Sequence, residues 1–257
     1  MEVDKLDYGL KGKNVLVTGS TKGLGEAIVR ILAGEGANVI VSGRSENLVK
    51  ELSDKYRQEY GVNAVGIPAD LGKKGAAEKL FEDSVAALGC LDILVNNAGI
   101  WPTAYVREMT LEDFDRTLYM NLEVPFLLSK LMVNHLIEQE RKGKIVQVVS
   151  QAAFHGSTTG HAHYASSKAG LVTFSRSLAR EVAGYGINVN SVAPGMMETP
   201  MVEDALTKKR DYYNSRIPIG RVATADEVAY CVAFLASNKA DYLTGITIDA
   251  TGGMLMR

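Results

Sequence analysis

Tyr164 and Lys168 are four positions apart, so in a helix they share one face and their polar ends can converge. An unperturbed phenol has a pKa of ~10, which is too high for efficient proton transfer at neutral pH. A neighbouring ammonium stabilises the phenolate and brings that pKa closer to the operating pH of a general acid. We therefore predict that Tyr164 donates a proton to a carbonyl oxygen in the field of Lys168.

A glycine-rich segment over 18–25 joins a short apolar run to a helical pattern, with glycines at Gly19, Gly23 and Gly25. Glycines at these places let the backbone turn tightly and let a pyrophosphate approach the N-terminus of the following helix. The spacing G-x-x-x-G-x-G is one residue longer than the usual dinucleotide fingerprint. Because it follows a strand and opens a helix, it predicts a dinucleotide site.

The end of the second predicted strand reads Ser42-Gly43-Arg44, without the carboxylate that binds the adenosine ribose in NAD enzymes. The guanidinium of Arg44 can form a forked pair with a 2′-phosphate, and Lys22 adds a second positive charge. We therefore predict a preference for NADP(H) over NAD(H). The alternative is that both residues are solvated surface cations.

The elements that must position these residues are strands alternating with helices. The apolar runs at 14–18, 38–42, 62–67, 91–95, 144–149, 187–192 and 246–248 predict strands, and the periodic segments at 26–33, 45–60, 73–88, 111–140, 163–184 and 224–236 predict helices. This alternation predicts an α/β, Rossmann-type, doubly wound parallel sheet of seven strands with helices on both faces. We expect a single domain over 1–257, with the irregular stretch at about 196–222 forming a substrate loop or lid.

Composition narrows the class of protein. The chain is 46% hydrophobic and 23% charged with a formal net charge of −2, so no basic field favours nucleic acid or anionic lipid. No apolar run approaches the ~20 residues that span a bilayer. The charged segment 1–12 lacks the apolar core of a secretory signal. We expect a cytoplasmic protein with no nucleic-acid or membrane partner.

From about residue 10 to its end, the chain resembles the short-chain dehydrogenase/reductase superfamily, in its compact single-domain branch. The matching pieces, in order, are the glycine segment, Asp70-Leu71, Asn96-Asn97-Ala98-Gly99, Asn121, Ser150, Tyr164-x-x-x-Lys168, Pro194-Gly195 with Thr199, and Gly252-Gly253. The resemblance implies an NADP(H)-dependent enzyme that moves a hydride between nicotinamide and a carbonyl or secondary alcohol. It also implies a homotetramer, or a dimer, that pairs the helices around 111–140 and 163–184.

The resemblance assigns roles to individual residues. Ser150 would hydrogen-bond the substrate oxygen, Asn121 would anchor a water that relays protons to Lys168, and Lys168 would also hold the nicotinamide ribose beside Tyr164. The remaining cofactor contacts are expected at Gly19, Thr21, Lys22, Gly23, Leu24, Gly25, Arg44, Asp70, Leu71, Asn97, Ala98, Gly99, Pro194, Gly195, Met197 and Thr199.

The chain departs from the family pattern at the serine. Ser150 precedes Tyr164 by fourteen residues, whereas the resemblance leads us to expect thirteen, a position that Gln151 occupies. We prefer Ser150 for the contact to the substrate oxygen, with the extra residue placed in the loop 155–160. Gln151 remains the alternative, with a longer reach and a different geometry.

The substrate end is less defined by sequence. His155, His161 and His163 lack acidic or thiolate partners at a ligand spacing, so we expect no metal and interpret them as loop residues at the pocket rim. Six apolar or aromatic residues could each either line an apolar substrate pocket or pack in the core, and the sequence does not favour one role: Trp101, Phe154, Met196, Met197, Tyr212 and Tyr213.

The substrate class stays open at this point. We favour reduction of a ketone or 3-oxoacyl thioester, with a sugar or polyol dehydrogenase as the alternative. An acidic acyl carrier would need a basic patch, for which Lys208, Lys209 and Arg210 are candidates, although a solvated charge run is the simpler interpretation. A non-catalytic protein that senses NADP(H) is the alternative from another class.

Overall fold

The computed structural model describes residues 7–157 and 159–257, and seven parallel strands in the described chain form one sheet in the order β3-β2-β1-β4-β5-β6-β7. The strands are β1 (Asn14–Val17), β2 (Asn38–Gly43), β3 (Ala64–Pro68), β4 (Ile93–Asn96), β5 (Gly143–Val148), β6 (Ile187–Pro194) and β7 (Thr247–Ala250). The predicted doubly wound sheet is confirmed.

Nine α-helices accompany the sheet in the described ranges. They are α1 (Gly23–Gly34), α2 (Glu46–Tyr60), α3 (Ala76–Leu88), α4 (Leu111–Leu118), α5 (Val124–Glu138), α6 (Ala152–His155), α7 (Ala162–Val182), α8 (Glu203–Arg216) and α9 (Ala225–Ala236). None of them is long and apolar enough to cross a bilayer.

The core lies on both faces of the sheet because successive strand residues point to opposite sides. Val15 and Val17 pack with α1 and α9, whereas Leu16 between them packs with α3, α5 and α7. Every residue of β1 is buried, which explains why this strand reads as a continuous apolar run.

Two predicted segments differ from the structure. The expected single helix over 111–140 is wrong, because a π-helical turn at Tyr119–Glu123 separates α4 from α5. The stretch 196–222 is not wholly irregular, since it contains α8, which bends where Lys209 leaves helical dihedral angles. Sequence periodicity missed α8 because only Leu206 in it is buried, so no apolar stripe marks the helix.

The strand order reverses between β1 and β4, which creates a crevice outside the carboxyl ends of the strands. The loops after β1, β2 and β3 reach this crevice from one side. The loops after β4, β5, β6 and β7 reach it from the other side. Residues that are far apart in the chain therefore meet at one edge of the sheet.

Candidate functional site

A cleft of about 1190 Å³ lies at the carboxyl edge of the sheet. All residues that the sequence nominates for cofactor contacts line it: Gly19, Thr21, Lys22, Gly23, Leu24, Gly25, Arg44, Asp70, Leu71, Asn97, Ala98, Gly99, Tyr164, Lys168, Pro194, Gly195, Met197 and Thr199. Ser150 also lines the cleft, whereas Asn121 lies behind the wall and does not. The fold thus gathers the nominated residues into one continuous space.

The glycine loop is braced against the loop after β4. The Thr18 hydroxyl accepts from the main-chain N–H groups of Asn97 and Ala98, both at 3.0 Å. The Asn97 amide donates to the carbonyl oxygens of Thr18 at 2.9 Å and Gly19 at 3.1 Å. A Cβ on Gly25 would collide with the Gly19 carbonyl and the Asn97 amide, so only glycine fits there. Sequence analysis did not anticipate that the Asn97 side chain holds this loop in place.

The end of the cleft beside β2 carries uncompensated positive charge. Lys22 and Arg44 are both exposed, and neither forms an ion pair within residues 7–157 and 159–257. Asp70 is the single acidic residue on the described cleft wall. The Ser42 main-chain N–H at the end of β2 donates to the Ser20 hydroxyl at 2.8 Å, and no carboxylate stands at this strand end. This arrangement fits an adenosine 2′-phosphate better than a free 2′-hydroxyl.

The reacting end of the cleft is formed by α7 and the end of β5. Lys168 is 4% exposed, and its ammonium donates to the Val148 carbonyl at 2.8 Å. Burial lowers the pKa of Lys168 to about 8, so the side chain is charged at neutral pH. Burial raises the pKa of Tyr164, and a side-chain hydrogen bond with Ser150 opposes that rise. Tyr164 is therefore protonated at neutral pH, as a proton donor must be.

The geometry distinguishes Ser150 from Gln151. The Ser150 hydroxyl lies beside Tyr164, where it lowers the pKa of the phenol, and accepts from the main-chain N–H of Ala152 at 3.2 Å. The Gln151 side-chain amide nitrogen instead lies 3.9 Å from the sulfur of Met254, which is a weak hydrogen-bond acceptor. The donor end of the Gln151 side chain is therefore turned toward Met254. The extra residue between Ser150 and Tyr164 was expected in the loop 155–160, of which Thr158 lies outside the described residues. Residues 1–6 also lie outside them.

Asn121 is fully buried in the π-helical turn. Its amide donates to the Ile100 carbonyl at 3.0 Å and to the Ser167 hydroxyl at 3.2 Å, and its carbonyl accepts from the Ile100 N–H at 2.9 Å. A Cβ on Gly99 would lie 3.0 Å from the Asn121 oxygen and 3.6 Å from the Lys168 nitrogen. The Asn121 side chain therefore holds the loop after β4 close to Lys168.

The three neighbouring histidines differ in position. His155 and His161 line the cleft, and His161 stacks on Trp101 with ring centres 4.3 Å apart. The prediction for His163 is wrong, because it lies in α7, fully buried, with no partner for either ring nitrogen in the described chain. Burial lowers the pKa of both His161 and His163. No cluster of metal-ligating side chains occurs in the described ranges.

Of the six aromatic and methionine candidates for the pocket wall, five line the cleft and one packs in the core. Trp101, Met196, Met197, Tyr212 and Tyr213 line the cleft. Phe154 does not; it packs against a small core cluster and lies 3.6 Å from the guanidinium carbon of Arg257. Two cleft residues that sequence analysis did not nominate, Met254 and Arg216, come from the last turn of the chain and the end of α8. No motif marks either position.

Comparison with known proteins gives consistent results. The family described as "Enoyl-(Acyl carrier protein) reductase" matches residues 19–255. The 3-oxoacyl-[acyl-carrier-protein] reductase of Aquifex aeolicus is 39% identical over 249 residues, covering 97% of this chain and 100% of the relative.

Two solved structures also superpose closely, each with a TM-score of 0.91. A short-chain type dehydrogenase/reductase from Mycobacterium marinum is 30% identical and covers 98% of both chains. A putative NAD(P) dependent gluconate 5-dehydrogenase from Beutenbergia cavernae, with bound NADP at low occupancy, is 34% identical and covers 97% of this chain and 99% of its own.

Proposed function

Since the chain belongs to the short-chain dehydrogenase/reductase family, we propose that it reduces the ketone of a 3-oxoacyl thioester with NADPH. The chain is an oxidoreductase that acts on carbonyl or secondary alcohol groups. The observation that carries the proposal is the grouping of Ser150, Tyr164 and the buried ammonium of Lys168 at one end of the cleft, with the ammonium 5.9 Å from the centre of the Tyr164 ring. The reductase from Aquifex aeolicus, which matches over nearly the whole chain, supports a 3-oxoacyl substrate over a sugar or polyol.

The side chains at the reacting end perform the proton chemistry. The Ser150 hydroxyl holds the ketone oxygen of the substrate, and the Tyr164 hydroxyl donates its proton to that oxygen as the carbonyl becomes an alcohol. The charge of Lys168 stabilises the phenolate that remains on Tyr164. When bound, NADPH supplies the hydride that is added to the ketone carbon.

Asn121 prepares this site without touching the reacting atoms in our proposal. Asn121 fixes the Ile100 main chain and with it the loop after β4. The resemblance noted above implies that Asn121 also anchors a water that relays protons to Lys168. The closeness of Asn121 and Lys168 to Gly99 supports this route.

The chain has residues suited to hold NADPH. The main-chain turn at Gly19–Gly25 and the N-terminus of α1 suit the pyrophosphate, because free N–H groups at a helix start attract anions. Lys22 and Arg44 would hold the 2′-phosphate, and Asp70 with Leu71 would flank the adenine. The small residues Ala98 and Gly99 leave room for the dinucleotide to lie against the backbone.

The test follows the absorbance of NADPH and NADH with 3-oxoacyl thioesters, diketones, cyclic ketones and keto-sugars. We expect NADPH consumption with the thioesters, and its loss in Tyr164→Phe, a variant that still binds NADPH. Turnover limited to keto-sugars would refute the 3-oxoacyl assignment. Binding of NADPH with no turnover on any compound would instead favour a protein that senses the cofactor.

We extend the proposal to organisation and assembly: one domain over the whole chain, assembled as a homotetramer or a dimer. Support for one domain comes from the single sheet to which all described strands belong. Support for assembly comes from exposed apolar side chains on the outer helices: Leu111 on α4 is 73% exposed and Phe126 on α5 is 41% exposed. The Phe126 ring also contacts the ring of Phe174 on α7 edge to face. Light scattering at micromolar concentration tests this, and a monomer mass would refute it.

A further inference from the structure

One wall of the cleft is formed by α8 and carries two cations and two tyrosines. The lining residues of this helix are Lys209, Tyr212, Tyr213 and Arg216. Tyr212 and Arg216 are one turn apart after the bend at Lys209, so their side chains lie on one face. No acidic residue of α8 lines the cleft. This wall therefore presents positive charge to whatever occupies the space in front of it.

Arg216 differs from the other arginines after β6. Three of these are paired with carboxylates: Arg210 with Glu198, Arg221 with Glu227, and Arg257 with Asp249. Arg216 is instead held by Tyr212, donating to its hydroxyl at 2.6 Å with the guanidinium carbon 5.2 Å from the ring centre. In the described chain the Arg216 charge is thus oriented by a neutral partner and not neutralised.

The three consecutive basic residues of α8 are also separated by the fold. Lys209 lines the cleft, Arg210 is engaged by Glu198 at 2.7 Å, and Lys208 is exposed away from the cleft wall. The candidate basic patch of Lys208, Lys209 and Arg210 is therefore not formed, and all three side chains are exposed, as the simpler interpretation of a solvated charge run expects. The cation that joins Lys209 on the cleft wall is Arg216.

This positive wall is distinct from the one formed by Lys22 and Arg44. Those two residues follow β1 and β2, whereas α8 follows β6, on the other side of β4 and β5 in the sheet. Next to Arg216, the side chain of Ile217 contacts Gly252, and the same tail brings Met254 against Gln151 beside Ser150. The Lys209–Arg216 wall therefore belongs to the substrate end of the cleft.

We propose that Lys209 and Arg216 form an anion subsite that binds a phosphate group carried by the substrate, remote from the ketone that is reduced. This proposal rests on the proposed function, because a thioester substrate carried on a phosphopantetheine arm has a phosphate at a distance from its acyl group. The guanidinium fork of Arg216 suits a phosphate, and Lys209 adds a mobile charge. The rings of Tyr212 and Tyr213 offer apolar surface to the uncharged part of the arm.

The test compares one 3-oxoacyl group on two carriers: coenzyme A, which bears phosphates, and N-acetylcysteamine, which bears none. In Arg216→Gln and in Lys209→Gln, we expect KM for the coenzyme A thioester to rise about 10-fold or more, because each variant loses a charge-assisted hydrogen bond to the phosphate. We expect kcat, KM for the N-acetylcysteamine thioester and KM for NADPH to stay unchanged. Arg216→Lys should recover part of the loss.

Lys208→Gln is the matched control, because it removes the same charge one residue away from the cleft wall. Equal losses on both thioesters would show a structural defect and overturn the subsite. An unchanged KM for the coenzyme A thioester in both variants would also overturn the subsite. If the wild type reduces neither thioester, the proposed function fails and the subsite with it.

Discussion

The ammonium of Lys168 donates to the Val148 carbonyl at 2.8 Å while lying 5.9 Å from the centre of the Tyr164 ring. The hydrogen bond anchors Lys168 to the end of β5, so its position does not depend on the phenol. At this separation the lysine acts on Tyr164 through its electric field, which is strong in a buried site. The protonation state of Lys168 therefore sets how readily Tyr164 releases its proton.

The first prediction concerns the pH dependence of reduction. The pKa of Lys168 is about 8, so above pH 8 the lysine loses its charge and Tyr164 becomes a weaker acid. We expect kcat/KM for ketone reduction to be constant near neutrality and to fall about tenfold per pH unit at higher pH. In Lys168→Arg, which stays charged, the residual activity should lack this decline. A wild-type profile that stays flat to pH 10 would contradict the assignment.

The second prediction separates two adjacent residues. Ser150→Ala removes the hydroxyl beside Tyr164, and we expect kcat to fall about 10²–10³-fold, as for other lost oxyanion donors. Gln151→Ala removes a side chain turned toward Met254 and should leave kcat within about tenfold of the wild type. Steady-state kinetics on one thioester measures both. The reverse ranking would assign the substrate oxygen to Gln151.

The third prediction concerns the choice of cofactor. Lys22→Ala with Arg44→Ala removes both cations of the cleft wall beside β2, so KM for NADPH should rise about 10-fold or more per lost contact. KM for NADH should change little, since NADH has no 2′-phosphate. Lys50→Ala, which removes an exposed cation of α2 paired with Asp54, is the control. An unchanged ratio of NADPH to NADH efficiency would leave the two residues as solvated surface cations.

The fourth prediction concerns stability below neutral pH. Burial lowers the pKa of His135, His161 and His163 beneath the ordinary value of 6.5. Below pH 6.5 the unfolded chain therefore binds more protons than the folded one, and the free energy of unfolding should decrease as the pH falls. Above pH 6.5 these histidines contribute no such slope. Denaturant unfolding between pH 5 and pH 8 measures the effect.

A single variant isolates the contribution of His163. Because both ring nitrogens are buried without a partner in the described chain, His163→Leu removes a desolvated polar group and should be neutral or stabilising by about 1–3 kcal/mol at pH 7. The variant should also show a shallower decrease in stability between pH 6.5 and pH 5. A steeper decrease, or a loss of several kcal/mol at pH 7, would show that His163 makes an interaction essential to the fold.

Features set by local pattern were predictable from the sequence. The inner strands β1, β4 and β5 are buried on both faces and appear in the sequence as apolar runs such as Val15-Leu16-Val17. The predicted strands end within one or two residues of the observed ends. Tyr164 and Lys168 belong to one helix, and their spacing alone places them on a common face. The glycine loop could be predicted because its positive φ angles and close backbone contacts exclude most other residues.

Features set by tertiary contacts were not predictable. Whether Arg216 forms an ion pair depends on which carboxylates the fold brings near it. Arg210 and Arg221, which are close to it in the chain, pair with Glu198 and Glu227, whereas Arg216 donates to the Tyr212 hydroxyl. The burial of His163 follows from the packing of α7 against α4 and leaves no mark in its immediate sequence. The serine-to-tyrosine spacing left Ser150 and Gln151 open until their contacts were known.

The π-helical turn at Tyr119–Glu123 has a consequence for the phase of the helix that follows it. A π-turn amounts to one residue inserted into an α-helix, and each residue advances a helix by about 100°. Deleting Met120 would therefore restore continuous winding and rotate the buried row Leu128, Met132 and Leu136 of α5 toward solvent. The extra residue therefore allows the apolar side of α5 to face the core while Asn121 also points inward.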